Sequence, residues 1–387
     1  MLDSNKFQEY FDQYNSYSKT YNLGSKYLEL GKKVMQTRYY RLLYYPAMSF
    51  PRRRESGKNN NPHEFASEYN NEKRVQPDKL SPDSRLRGND IKGWGNDVKR
   101  YGNDIEDISK VKKPNKTFLI VPSIFNSPEI FFLSRDKNFI DNLRECGEVF
   151  LIDWSEVKNP EYLLDDYVRQ VIEIIDKLKK RGITSINLIG HCLGGNLAIA
   201  ANVIAPGSIQ TLTLLTTPWD FSHFFYIRQF HRYFDLDYYV DNLPVIPKIH
   251  LQILFFLLFP NYFNVKLDKF FSLTSLKEQD LAFRIENWLM SGNSLPKATY
   301  YQIMQNILDD NMFANLRWKI NNTVIDPGLI NQPVYIVTAN NDQIVPKSSI
   351  LSLHRLLKDS TLLEVEGGHI SYLVNNKLVK LFHFIGG

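Results

Sequence analysis

The sequence predicts an α/β fold, a mostly parallel sheet with helices on both faces. Three observations carry this expectation. Six short β-rich runs are apolar almost throughout, a long amphipathic helical pattern separates the second run from the third, and the third run breaks into helix at a glycine-rich bend. Strands buried on both faces read as continuous apolar runs, and helices placed between them supply the cover that such a sheet needs.

The six runs are TFLIV at 117–121, EVFLID at 148–153, SINLIG at 185–190, TLTLLTT at 211–217, PVYIVTA at 333–339 and TLLEVE at 361–366. Between the second and third, Leu163, Val168, Val171, Ile174, Ile175 and Leu178 recur at the three-to-four spacing of one helical face. With 387 residues, 43% hydrophobic and 23% charged, the chain has room for two domains or for one large domain with insertions, and it is too apolar to be disordered throughout. Ahead of the first run, Phe7, Tyr10, Phe11, Tyr14, Leu28, Leu30, Val34 and Met35 follow roughly helical spacing, so one or two helices are expected within 1–50.

Residues 51–116 differ in kind. They hold 16 of the 47 Lys and Arg and 11 of the 42 Asp and Glu, which accounts for the whole net charge of +5 and leaves the remainder neutral. Both signs are mixed there, so no basic face for nucleic acid is expected. GND recurs at Gly88, Gly95 and Gly102, with Ile91, Val98 and Ile105 in step. One apolar residue per seven makes no coiled-coil seam, and glycine in each repeat opposes a helix, so a disordered polar insert is expected.

Other classes are narrowed by what the sequence contains. Cys146 and Cys192 are the two cysteines, too few for a disulfide framework or a four-thiolate zinc site. The opening MLDSNKFQEYFDQYNS has no basic head leading into an apolar run, which predicts no secretory leader and a cytoplasmic location. The most apolar run, IHLQILFFLLF at 249–259, has eleven residues, where a membrane-spanning helix needs about 20. No phosphate loop, dinucleotide fingerprint or metal-ligand cluster is visible, so no cofactor is expected.

The chemistry concentrates at the bend after the third run. Gly190-His191-Cys192-Leu193-Gly194-Gly195 is a G-x-C-x-G-G sequence between a strand and a helix, the place where an α/β-hydrolase fold carries its nucleophile. A side chain on so sharp a turn stands above the sheet, and the following helix N-terminus favours a thiolate and a developing oxyanion. The amide of Leu193 is the first expected oxyanion donor. The second is expected from the loop VPSIFN, with Phe125 as the residue. The same fold then requires an acid and a histidine in that chain order, each after a strand. Asp342, in ANNDQIVP, and His369, in GGHIS, meet the requirement; Asp220, in TTPWDF, is the rival acid. The histidine would take the thiol proton and the carboxylate would orient the ring. Cysteine in place of serine gives a thioester intermediate, which keeps an acyl group activated for transfer to an alcohol.

With these stretches in hand, the sequence resembles the polyhydroxyalkanoate synthases from about Thr117 to Val374, through LIVPSIFN, EVFLIDW, INLIGHCLGGNLAIA, LTLLTTPWDF, NDQIVP and GGHI. The lipase-like box with Cys for Ser is the most specific of them. The resemblance implies that Cys192, Asp342 and His369 match the family's catalytic triad. It also implies polymerisation of (R)-3-hydroxyacyl-CoA to a polyester with release of CoA. A polyester granule surface, and a homodimer or a second synthase subunit, are the partners it implies. Gln343 stands where the family commonly has His. A Cys-dependent hydrolase of esters, thioesters or polyester is the alternative activity, and a catalytically degenerate granule-associated protein the non-enzymatic one.

The expected organisation is therefore a helical region at 1–50, the polar insert at 51–116, a catalytic core at 117–217 and 326–387, and a cap at 218–325. The cap sequence is rich in aromatics, as in HFFYIRQFHRYF and ILFFLLFPNYFNV, which suits either an apolar access path or the cap's own core.

Overall fold

The computed structural model describes residues 8–10, 12–13, 15–16, 31–48, 116–133, 138–225, 227–229, 240–252 and 262–374. The elements below belong to one unit, Met1–Ala47 with Asp104–Gly387. A second unit, Met48–Asn103, falls outside the described residues except for Met48, and so do the GND repeats.

Eight strands form one sheet: β1 (Lys32–Gln36), β2 (Tyr40–Tyr45), β3 (Thr117–Val121), β4 (Glu148–Trp154), β5 (Ile186–His191), β6 (Ile209–Leu215), β7 (Val334–Ala339) and β8 (Ser360–Val365). Their order across the sheet is β1-β2-β4-β3-β5-β6-β7-β8. β3 to β8 are mutually parallel, whereas β1 and β2 add an antiparallel edge. All six runs read as strands from the sequence are strands, within two residues at each end. β3, β4 and β5 are buried at every position, which is why their sequences show no polar alternation.

Helices α1 (Leu164–Lys180), α2 (Leu193–Ile204), α3 (Tyr262–Phe271), α4 (Leu276–Leu289) and α5 (Lys347–Leu356) are the longest among the described residues. α1 buries Leu164, Tyr167, Val168, Val171, Ile174, Ile175 and Leu178, and its Asp165 and Asp166 at one end and Lys177, Lys179 and Lys180 at the other complement the helix dipole. α2 is buried on nearly all sides from Leu193 to Asn202, as its run of alanines and aliphatics requires.

The N-terminal expectation needs correction. Residues 8–10, 12–13 and 15–16 are helical, and Tyr10 packs among Leu267, Phe270 and Phe283. Val34 and Met35, however, lie in β1, and the following YRLLYY is β2. Period two governs here: Tyr40, Leu42 and Tyr44 face one core while Leu43 and Tyr45 face the other. Thr37 closes the turn, accepting the Tyr39 amide on its Oγ1 at 3.1 Å. Arg41 stands opposite Asp153 of β4 in register, and their side chains form an ion pair.

The chain runs from β3 to β4 on one side and then crosses to β5 on the other. Crevices outside the carboxyl ends of strands at such a switch point are where open α/β sheets bind ligands. Between β6 and β7 lies the long insertion. Among its described residues are α3, α4, a two-residue antiparallel pair (Val245–Ile246 with Leu295–Pro296) and a helical stretch from Lys297 to Asp309. Many of its aromatics pack on one another: Phe313 lies 5.4 Å from Trp219 and 4.8 Å from Trp318 between ring centroids. Others face outward, with Phe225 60% and Leu276 65% exposed.

Candidate active site

β5 ends at His191 and α2 begins at Leu193, which leaves Cys192 alone to make the bend. It does so at φ 51°, ψ −128°, a conformation that costs a residue with a Cβ on the order of 1–3 kcal/mol and is held only by its surroundings. Those surroundings are visible. The Cys192 amide donates to the Leu215 carbonyl at 2.9 Å, and its carbonyl accepts from Gly195 at 2.9 Å. A Cβ on Gly190 would overlap the backbone of Gly195, and one on Gly194 would overlap the carbonyl oxygens of Val121 and Pro122. The glycines are thus fixed by close approach of β5, α2 and the end of β3. Leu193 occupies the first position of α2, where a backbone N–H has no partner within the helix.

Asp342 and His369 arrive on neighbouring loops. Ala339 and Val365 are register partners at the ends of β7 and β8, so the two loops leave the sheet side by side. They are laced together: Asn340 donates to the Val365 carbonyl at 2.9 Å, Asn341 to that of Gly367 at 3.0 Å, and the Gly367 amide to Asn340 Oδ1 at 2.9 Å. Asp342 Oδ1 accepts the amides of Ile344 and Val345 at 2.8 and 2.9 Å. Its other oxygen, Oδ2, faces Nδ1 of His369 at 2.8 Å, with 7% of the His369 side chain and 1% of the Asp342 side chain exposed.

Burial by itself would depress the His369 imidazolium. The Asp342 carboxylate overrides it through charge and hydrogen bond, Cys192 adds a hydrogen bond and charge of its own, and the ring is pushed up to about 10. The structure therefore brings Cys192, His369 and Asp342 into one chain of interactions. Asp220 lies elsewhere: its carboxylate accepts from Ser222 N and Oγ at 3.0 and 2.6 Å, from Asn311 at 2.9 Å and from Ser352 at 3.2 Å, and the histidine beside it is His223 at 3.6 Å. It caps a turn of the insertion. Phe125 sits in the loop after β3, whose last residue Val121 pairs with Gly190, and its amide donates to Ser123 Oγ at 3.4 Å.

Two further features complete the surroundings of the site. Thr216, directly after β6, holds φ 45°, an unusual value for a β-branched residue. Its amide donates to the Val337 carbonyl at 2.9 Å, and its Oγ1 lies 2.9 Å from the hydroxyl of Tyr372, three residues past His369. The segment that receives the Cys192 amide thus also holds the histidine loop. Secondly, His191 is buried beside His369, ring centroids 5.6 Å apart, with neither ring nitrogen hydrogen-bonded. Burial, then the nearby His369, holds it well below the ordinary imidazole range. Among the described residues no group of three His, Cys, Asp or Glu could hold a metal ion, and no helix is long and apolar enough to cross a membrane.

The family described as alpha/beta hydrolase fold matches residues 148–376, more than half of the chain. The chain belongs to this α/β-hydrolase fold family. Within the α/β-hydrolases it is similar to proteins named poly(3-hydroxyalkanoate) polymerase subunit PhaC. That of Haloferax mediterranei is 26% identical over 67% of this chain and 55% of its own length. That of Haloarcula marismortui is 25% identical over 70% and 59%. That of Allochromatium vinosum is 27% identical over 68% and 77%. The matched part thus spans little more than half of the two haloarchaeal proteins.

Proposed function

We propose that this α/β-hydrolase is an acyltransferase that polymerises (R)-3-hydroxyacyl-CoA through a thioester on Cys192. The observation that carries the reading is the Cys192 sulfur on its strained bend, interacting with a His369 ring whose far nitrogen is bound to Asp342. The similarity to polyester polymerase subunits supports the substrate class.

In this reading the proton of the Cys192 thiol resides on His369, so that a thiolate faces the acyl-CoA carbonyl. Attack forms the new carbon–sulfur bond and an oxyanion, received by the amides of Leu193 and Phe125. Collapse breaks the old carbon–sulfur bond, and the departing CoA takes the proton from His369. His369, now neutral, removes the proton from the hydroxyl of a further hydroxyacyl-CoA. That oxygen attacks the Cys192 thioester, the elongated chain leaves as a CoA ester and Cys192 recovers its proton through His369. The elongated ester can then reload the sulfur. Exchange of one thioester for another is nearly isoenergetic, and ester formation drains the sequence forward.

Residues 218–325 act as the cap over this centre, and the outward Phe225 and Leu276 suit contact with an apolar product. Incubation with 3-hydroxybutyryl-CoA tests the assignment: free CoA with insoluble polymer supports it. Free CoA with soluble hydroxy acid identifies a hydrolase instead.

A further inference from the structure

The loop after β3 is gripped at three consecutive residues by one short stretch of the insertion. Gly292, at φ 119°, lies so close to Phe125 that a Cβ there would overlap the Phe125 carbonyl oxygen. Asn126 points its Nδ2 at the carbonyls of Trp288, Leu289 and Ser291, at 3.4, 3.4 and 3.3 Å. Trp288 Nε1 donates to the Ser127 carbonyl at 2.8 Å. Two of the acceptors, Trp288 and Leu289, close α4, where carbonyls have no partner within the helix. Trp288 also accepts from the amide and hydroxyl of Ser291 at 2.9 and 2.6 Å, and Leu289 from Gln252 Nε2 at 3.3 Å. The next residue continues the grip: Asn293 donates to the Trp154 carbonyl at 2.8 Å, and Trp154 Nε1 donates to the Pro122 carbonyl at 3.1 Å. Pro122 begins the same loop, so the hydrogen bonds close a ring around it.

We propose that Trp288, Asn126 and Gly292 are positioning residues that set the Phe125 amide for the oxyanion, so that the placement of the insertion is passed directly to the reaction centre. The inference rests on the reading of Cys192 as an acylated nucleophile. The peptide frame that carries the Phe125 amide is clamped by Gly292 against its carbonyl and by the hydrogen bonds of Asn126 and Ser127 just beyond it. An oxyanion donor contributes roughly 100- to 1,000-fold to rate, and about 1 Å of misplacement can forfeit 100-fold. The α4 end that holds the loop is continuous with Phe283, packed among Leu267, Phe270 and Tyr10. A shift of that aromatic cluster, as by an acyl chain entering the insertion, would therefore move the donor.

Two reactions of the same sulfur separate this role from others. Alkylation of Cys192 by iodoacetamide displaces iodide at a saturated carbon and creates no oxyanion. Acylation by 3-hydroxybutyryl-CoA, read as single-turnover CoA release, passes through one. In Trp288→Phe, Asn126→Ala and Gly292→Ala, acylation is expected to fall by roughly 10- to 100-fold, with alkylation within about twofold of the parent. A cooperative thermal transition like the parent's shows that each variant is folded, so a variant that fails to fold is recognised and the other two decide. Equal loss of both rates, or loss of neither, overturns the positioning role. Failure of the parent protein to acylate at Cys192 overturns the acyl-transfer reading itself and is seen before any variant is compared.

Discussion

Two buried histidines of opposite electrostatic character stand side by side, ring centroids 5.6 Å apart, and folding stability should record both. His191, held well below the ordinary 6.5, stays neutral in the folded chain and takes a proton when unfolded in acid. Its contribution is present above about pH 6.5 and is lost as pH falls, at about 1.4 kcal/mol per pH unit, until its folded-state value is reached. His369, raised from 6.5 to about 10, behaves oppositely. Its contribution is complete below about pH 6.5 and is lost as pH rises through about 10, amounting to about 5 kcal/mol over that span. Taken alone the two histidines contribute a maximum near pH 6.5; Glu129, which burial raises to about 7, contributes in the opposite sense on the acid side, so the histidines are read by comparing proteins. Urea midpoints measured across pH on the wild type, His191→Phe and Asp342→Asn test this. Comparing pH values within each protein cancels any pH-independent packing cost of the substitution. Between about pH 6.5 and 5.5 the wild type should lose about 1 kcal/mol relative to His191→Phe, and Asp342→Asn should flatten the alkaline decline. Wild type and His191→Phe falling in parallel on the acid side would refute the reasoning.

Further outcomes follow from the same contacts. Asp342→Ala should slow iodoacetamide alkylation of Cys192 by roughly 100-fold or more, while Asp220→Ala should leave that rate unchanged and lower stability by about 1–3 kcal/mol, because Asn311 and Ser222 lose their acceptor. Thr216→Val and Tyr372→Phe should each cost about 1–3 kcal/mol in chemical denaturation by leaving the other hydroxyl buried without a partner. The double variant should cost less than the sum of the two.

How much of this was visible in the sequence depends on the range over which each feature is determined. The parallel strands were legible because burial on both faces leaves an uninterrupted apolar run, as in TFLIV and the first residues of EVFLID. The β1–β2 edge was not, since Val34 and Met35 satisfy a helical spacing as well as a strand, and they are held as a strand by β2, which is itself held by β4, more than a hundred residues away. Cys192, Asp342 and His369 could be picked out because each must follow a strand in a set chain order. Thr216 and Tyr372 could not, because a positive φ on threonine and a hydroxyl pair 156 residues apart leave no local signature. The grip of Trp288 and Asn126 on the β3 loop is hidden for the same reason; only Gly292, a lone glycine after a helical pattern, hints at a close approach.

The measurement that bears most directly on the proposed chemistry is peptide mass spectrometry after brief exposure to 3-hydroxybutyryl-CoA. A hydroxybutyryl group on the peptide carrying Cys192, absent from Cys192→Ala and strongly diminished in His369→Ala, is the predicted result. An unmodified Cys192 in protein that nonetheless releases CoA, or equal labelling of Cys146, would contradict it.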